Sequence, residues 1–335
     1  MNTHNQKGLS LVEVLVALII SLFLLAGVVQ VYVGNRTAYA FSEGLSRIQE
    51  NARFAMDSIK RDIRMAGFRG CATENFVNNL NPAGTNYSSN LHDFFKNPAI
   101  EGTENDGLNG SDSITIRGAA PGQANVLTPY NSPASAQIFT NASGLIETGD
   151  IVLLTNCNGA DLFQVTSITQ GASTKLSVGH NTGNATEPGN YNPPGPIACS
   201  GGNAHCLSQT YGGDSSILKM QTITYTIATG ASGEPALFRS EFNDQSELVD
   251  GIEQLQILYG IDTDDDISPN QYVSSDNVPD WDEVTAIRIM LLARSPNNVP
   301  MDAAQKYTFN DQDITSADSL LRQVFTTTIA ARNVH

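Results

Sequence analysis

Gly8-Leu9-Ser10-Leu11-Val12-Glu13, running on into the apolar stretch Val14 to Val33, decides how the rest of this 335-residue chain is read. From Leu9 to Val33 the only strongly polar side chains are Glu13 and Gln30; Ser10 and Ser21 are tolerated in a helix. At about 1.5 Å per residue these 25 residues cover the roughly 30 Å hydrocarbon core of a bilayer. The expectation is one membrane-spanning helix, with everything beyond it carried as a domain on a stem. Glu13 is the unusual residue, because a carboxylate inside such a segment costs up to about 3 kcal/mol at mid-membrane and less near the edge. In one reading it snorkels to the head groups. In the other, cleavage after Gly8 exposes an amine on Leu9, and in a helical stack of stems the Glu13 carboxylate of one subunit meets the new amine of its neighbour.

Lys7-Gly8-Leu9-Ser10-Leu11-Val12-Glu13 resembles the class III signal of type IV prepilins and pseudopilins. The resemblance implies that prepilin peptidase cuts between Gly8 and Leu9, that Leu9 is N-methylated, and that Glu13 is the assembly carboxylate. Most members have Phe at the first mature position, where this chain has Leu9. An ordinary secretory signal, with Ala38-Tyr39-Ala40 as its cleavage site, is the competing reading. It requires an apolar region far longer than the roughly 7 to 15 residues usual for such signals, with an acid near its start.

Beyond the span, Leu45, Ile48, Ala52, Met56, Ile59 and Ile63 recur every three or four residues, while Arg47, Glu50, Asp57, Arg61 and Arg64 take other faces. The spacing predicts an amphipathic helix over 34–70 that lays one stripe on its own globular domain. Gly27, Gly34 and Gly44 predict a bend or local unwinding between Gly27 and Gly44, and the run Gly67 to Gly70 ends the helix. The stretch Gln49 to Cys71 resembles the PilW family of minor pilins. So do islands at Leu154 to Cys157 with Ala160 to Thr166, at Leu258 to Asp262, at Val284 to Ser295, and at Ala331-Arg332-Asn333.

Residues 71–335 are β in character. Ser113 to Arg117, Ile151 to Thr155, Leu162 to Ile168, Gln221 to Ile227, Ala236 to Arg239, Leu255 to Tyr259, Val284 to Ala293 and Gln323 to Ala330 are β-branched or alternating runs bounded by turn residues. Residues 77–111 and 179–215 read as long loops. The expected fold is α+β and type IV pilin-like: leader 1–8, transmembrane half-helix 9–33, amphipathic half-helix 34–70, and a large antiparallel β domain over 71–335, as one body or two lobes.

The whole chain has a formal charge of −16, yet residues 1–70 carry eight Lys/Arg against five Asp/Glu, so the acidity lies beyond the stem. A surface of that sign disfavours nucleic acid as a partner. Four cysteines, Cys71, Cys157, Cys199 and Cys206, all follow the span, and an even count in an exported chain predicts two disulfides. The six residues between Cys199 and Cys206 contain two glycines and bring their flanking thiols together, which leaves Cys71 to pair with Cys157.

Catalytic chemistry is not in evidence. His4, His92, His180, His205 and His335 have no metal-type spacing, and no nucleophile elbow or phosphate loop occurs. Asp262, Asp264 and Asp266 alternate like the start of a calcium loop, but Ile267 stands where such a loop needs Gly and Val273 where it needs Glu. That departure excludes an EF-hand and favours a solvated acidic turn over an irregular calcium site, the alternative reading; no metal, cofactor or enzymatic activity is expected. The PilW resemblance implies a structural role in pilus biogenesis, twitching motility and surface attachment. It also implies inner-membrane insertion with the N-terminus cytoplasmic and the domain periplasmic, and prepilin peptidase, other minor pilins, the major pilin and a tip adhesin as partners. A type II secretion pseudopilin shares signal and stem. A membrane-anchored periplasmic binding module that never polymerises is the alternative of a different class.

Overall fold

The computed structural model describes residues 10–130, 132–141, 144–170, 175–182, 186–191, 206–264, 266–296 and 304–333. Its first element is one helix, α1 (Leu11–Met65), 55 residues long. Ser10 caps it: the Ser10 hydroxyl accepts the Glu13 N–H and the Glu13 carboxylate accepts the Ser10 N–H, a reciprocal capping box. The local unwinding expected between Gly27 and Gly44 is absent. Gly27 and Gly34 sit in continuous helix with open space around them, so each costs only backbone entropy, about 1 kcal/mol, and the i to i+4 ladder carries through. The helix stops before Gly67, whose φ of +72° suits glycine, and where a Cβ would strike the Asn333 carbonyl.

Strands follow in the order β1 (Phe76–Asn78), β2 (Ile100–Thr103), β3 (Ser113–Ala119), β4 (Ala124–Asn125), β5 (Gln137–Asn141), β6 (Ile151–Asn156), β7 (Gly159–Gln164), β8 (Ser167–Gln170) and β9 (Lys175–Gly179). Then come β10 (Ser216–Thr229), β11 (Pro235–Glu241), β12 (Asp244–Asp250), β13 (Ile252–Ile261), β14 (Gln271–Val273), β15 (Val284–Arg294), β16 (Lys306–Phe309), β17 (Gln312–Thr315) and β18 (Arg322–Ala330). The run Leu162 to Ile168, read as one strand in the sequence, is divided. Its first part belongs to β7, paired with β6, and its end to β8, paired with β9 in another sheet. The stretch expected to be a loop over 77–111 also contains β2, paired with β3.

β10 organises the domain. Over Ser216–Lys219 it pairs with β6, and from Met220 onward it pairs with β3, with β11 joining on its other side from Ile223. One strand therefore serves three cores, its Leu218 and Met220 entering a third with Leu80, Phe94, Leu153 and Leu162. The first half borders a core of β4 to β9 residues such as Val152, Leu154, Phe163 and Val178. The second half borders the core that α1 fills: Ile48, Ala52, Ala55, Ile59 and Ile63 lie against Ile223, Tyr225, Leu255, Ile257, Ile287, Ile289 and Ile329. Most of those partners come from the four-stranded sheet β14-β13-β15-β18, which is antiparallel throughout. A long N-terminal helix packed on a large, mostly antiparallel β domain is the α+β architecture expected.

Candidate assembly stem and its anchorage

Exposure divides α1. Every residue from Ser10 to Tyr39 is exposed, Phe23 at 76%, and Gly44 is the first buried position. As far as Val33 the exposed part is apolar around its circumference, and α1 is long and apolar enough to cross a membrane. Glu13 lies in its first turn: Oε2 accepts the Ser10 N–H at 3.0 Å, and the Glu13 N–H donates to Ser10 Oγ at 3.2 Å. A carboxylate here also faces the positive end of the helix dipole. Glu13 thus has an intramolecular partner within the isolated subunit, a role that the sequence reading missed. The signal was legible as Ser-x-x-Glu directly before an apolar run. Gly8 and Leu9 lie outside the described residues.

Past Gly44 the stem is fastened to the domain at several levels. Asn51 Nδ2 donates to the Asp250 carbonyl at 3.1 Å and to its carboxylate at 2.7 Å. Asp62 is buried on the apolar stripe itself, three residues after Ile59, and its Oδ2 accepts from Tyr225 Oη at 2.6 Å and Arg239 Nε at 3.1 Å. Burial, and then the adjacent Asp62 charge, push the Tyr225 hydroxyl well above the usual tyrosine range, so it remains a donor. At the helix end the Gly67 N–H donates to the Arg117 carbonyl at 2.9 Å, and Asn333 Nδ2 donates to the Arg64 carbonyl at 3.3 Å. Sequence periodicity found the apolar stripe but not Asp62; a carboxylate at i+3 from a stripe isoleucine was the available clue.

A covalent tie completes the anchorage. Cys71 is disulfide-bonded to Cys157, with Cα atoms 4.8 Å apart across 86 residues of sequence, as the spacing argument expected. The bond joins the segment after α1 to the tight turn between β6 and β7. Cys206 is also disulfide-bonded. The predicted pairing of Cys199 with Cys206 involves Cys199, which lies outside the described residues.

The remaining candidates take structural positions. The carboxylate oxygens of Asp262, Asp264 and Asp266 lie within 4.8 Å of one another. The Asp262 carboxylate accepts the N–H groups of Asp264 at 3.1 Å and Ile267 at 2.7 Å, and Ile267 adopts a φ of +69°, so the acids close a turn on their own backbone. His92 is buried between the rings of Tyr87 and Phe242, and burial lowers its pKa. His180 is buried against Phe163. His4, His205 and His335 lie outside the described residues.

Two family models match the chain. One, described as Type IV Pilus-assembly protein W, covers residues 224–333. That range holds all four strands of the sheet on which α1 rests. The other, the prokaryotic N-terminal methylation motif, covers residues 3–29 and so takes in Gly8, Leu9 and Glu13. No curated protein and no solved structure matches the chain.

Proposed function

We propose, from the match to the PilW pilus-assembly family over residues 224–333 and to the N-terminal methylation motif over residues 3–29, that this chain is a pilus-assembly protein carrying a prepilin signal and acts as a minor pilin. In this reading prepilin peptidase cuts between Gly8 and Leu9 and Leu9 becomes N-methylated. The protein stands in the inner membrane with its short leader cytoplasmic and residues beyond the stem periplasmic. It then moves into the pilus by packing its bare stem among those of other minor pilins and the major pilin. Pilus initiation, twitching motility and surface attachment through a tip adhesin are the roles that follow, and no catalysis is involved.

The observation that carries this reading is the division of α1: exposed from Leu11 to Tyr39 and apolar as far as Val33, then buried on one face from Gly44. A soluble domain gains nothing from such an extension, whereas a filament of parallel stems requires it. Glu13 enters this packing with one carboxylate oxygen on the Ser10 N–H. In the proposed packing its second oxygen takes the Leu9 amine of a neighbouring subunit.

The test is genetic complementation. In a strain lacking this gene, the wild-type chain is expected to restore surface pili. Glu13→Ala is expected to insert normally but to yield at least tenfold fewer pili, since it removes the one charge in the membrane-embedded segment able to register a stem against its neighbour. Full piliation by Glu13→Ala would refute the role assigned to the carboxylate.

A further inference from the structure

Two exposed edges of the β architecture are finished differently. The β12 edge carries Asp244, Glu247 and Asp250, and its ladder to β11 shifts register at Leu237/Phe238. Charges and bulges of this kind keep an edge strand from pairing with other chains. β18 is also an edge, since among the described residues it pairs with β15 alone. Yet Gln323-Val324-Phe325-Thr326-Thr327-Thr328-Ile329-Ala330 holds no charge and no proline, and its ladder to β15 runs unbroken from Arg322 to Ala330.

The phase of the ladder shows which backbone groups face outward. Ser295 N–H donates to the Leu321 carbonyl at 2.8 Å and Ala331 N–H to the Thr285 carbonyl at 2.9 Å. These bonds flank the pairs Arg294·Arg322 and Ala286·Ala330, so Arg322 and Ala330 direct their own N–H and C=O away from β15. By alternation Val324, Thr326 and Thr328 do the same. Gln305 already occupies the first of these positions. Its Nε2 donates to the Arg322 carbonyl at 2.8 Å and its Oε1 accepts the Arg322 N–H at 2.7 Å. A side-chain amide is thus seated on this edge as a residue of a further strand would be. The next four outward-facing residues have no such partner among the described residues, and Thr326, Thr328 and Ala330 are exposed.

β18 runs in the same direction as the stem. Its start lies level with Asn51, through the bonds Asn51 to Asp250 and Arg294 N–H to the Gly251 carbonyl, and its end leads to Asn333, which reaches Arg64. An antiparallel two-fold pairing of β18 with a second copy would therefore reverse the second stem, which a shared membrane forbids.

We propose that β18 is an acceptor edge for strand addition by a different subunit, whose donated segment is extended, uncharged and rich in β-branched or hydroxyl side chains. Backbone hydrogen bonds to Val324, Thr326, Thr328 and Ala330 supply the affinity. Cross-strand threonine and β-branched contacts supply the preference. Neutrality matches the strip itself, in a chain whose overall charge of −16 opposes unselective association. The pilus-assembly reading supplies only the source of the partner; the acceptor edge is a property of the fold.

The test uses the full-length chain in detergent micelles, with amide exchange followed at Val324, Thr326, Thr328 and Ala330. The probe is a synthetic peptide of this chain's own residues 323–330 with blocked ends, serving as a neutral β-branched strand. Exchange is expected to be fast in the chain alone and at least tenfold slower with saturating peptide. Thr328→Lys is expected to bind the peptide at least tenfold more weakly, and Thr328→Ser to bind it as wild type does. Amides already protected in the chain alone, or exchange that the peptide leaves unchanged, would overturn the proposal. Protection that rises with protein concentration would assign the edge to a second copy and overturn the choice of partner. In cells, Thr328→Lys is expected to lower pilus number at least fivefold while the mature protein still begins at Leu9, and wild-type pilus numbers would count against the edge. Loss of processing in the wild-type chain would refute the proposed function and leave the peptide result standing.

Discussion

The two halves of α1 differ in what surrounds them, and their sequences differ accordingly. From Leu11 to Val33 apolar side chains face every direction, and Phe23 and Leu24 are largely exposed. From Gly44 to Ala66 the apolar residues form a stripe, and Ile59 and Ile63 are fully buried while Arg61 and Arg64 stay in solvent. A helix apolar all round is suited to lipid or to packing among other helices; a striped helix is suited to one sheet. Continuity of hydrogen bonding across Gly27 and Gly34 makes the two parts one rod, so force or register at one end is transmitted to the other.

The largest effect separating the halves should come from the disulfide. Replacing Cys71 and Cys157 together by serine frees a loop of 86 residues and is expected to lower stability by about 4 kcal/mol, read from denaturant unfolding of the solubilised protein. The exposed half should be untouched, with its amide protection unchanged. Uniform loss along α1 would show that the stem and the domain do not separate in this way.

A pair of core truncations sharpens the contrast. Ile59→Ala leaves a cavity beneath the four-stranded sheet and is expected to cost about 3 kcal/mol. Leu18→Ala, in the exposed half, is expected to cost under about 0.5 kcal/mol in the same micelles. Equal losses would mean that the first half is packed against protein within the single subunit.

A smaller effect depends on pH. Asp112 supports the helix-backed core by accepting the Ile257 N–H at 2.8 Å, and burial, aided by Glu104, raises its pKa to about 6 despite the N–H bonds from Ile257 and Asn105. A folded-state pKa above the unfolded one means that the native state holds the proton more tightly. Its contribution is therefore fully present below about pH 4 and is lost as pH rises through 6. Asp112→Asn is expected to gain stability relative to wild type between pH 4 and pH 6 and to hold a constant difference above that. The check is unfolding of both proteins across this range, and a difference independent of pH would remove Asp112 from the account.

The stem was legible in the sequence because membrane thickness and helical period are strong constraints on a single segment. The Cys71–Cys157 pairing was legible because a six-residue insert between the other two cysteines left one choice. The sheet was only partly so. β12, with Asp244, Glu247 and Asp250, lacks an alternating pattern and forms because β11 supplies its ladder. The split of Leu162 to Ile168 depends on a change of partner from β6 to β9, which no local pattern encodes. Asp62 escaped notice because a charge on an apolar stripe is satisfied by Tyr225 and Arg239, more than 160 residues away.

The central claim is that the exposed half of α1 is the mature N-terminus of an assembling pilin, and intact mass of protein extracted from membranes tests it most directly. The account predicts a chain that begins at Leu9 and carries one added methyl group. A mass that retains residues 1–8, or one that begins after Ala40, would contradict it.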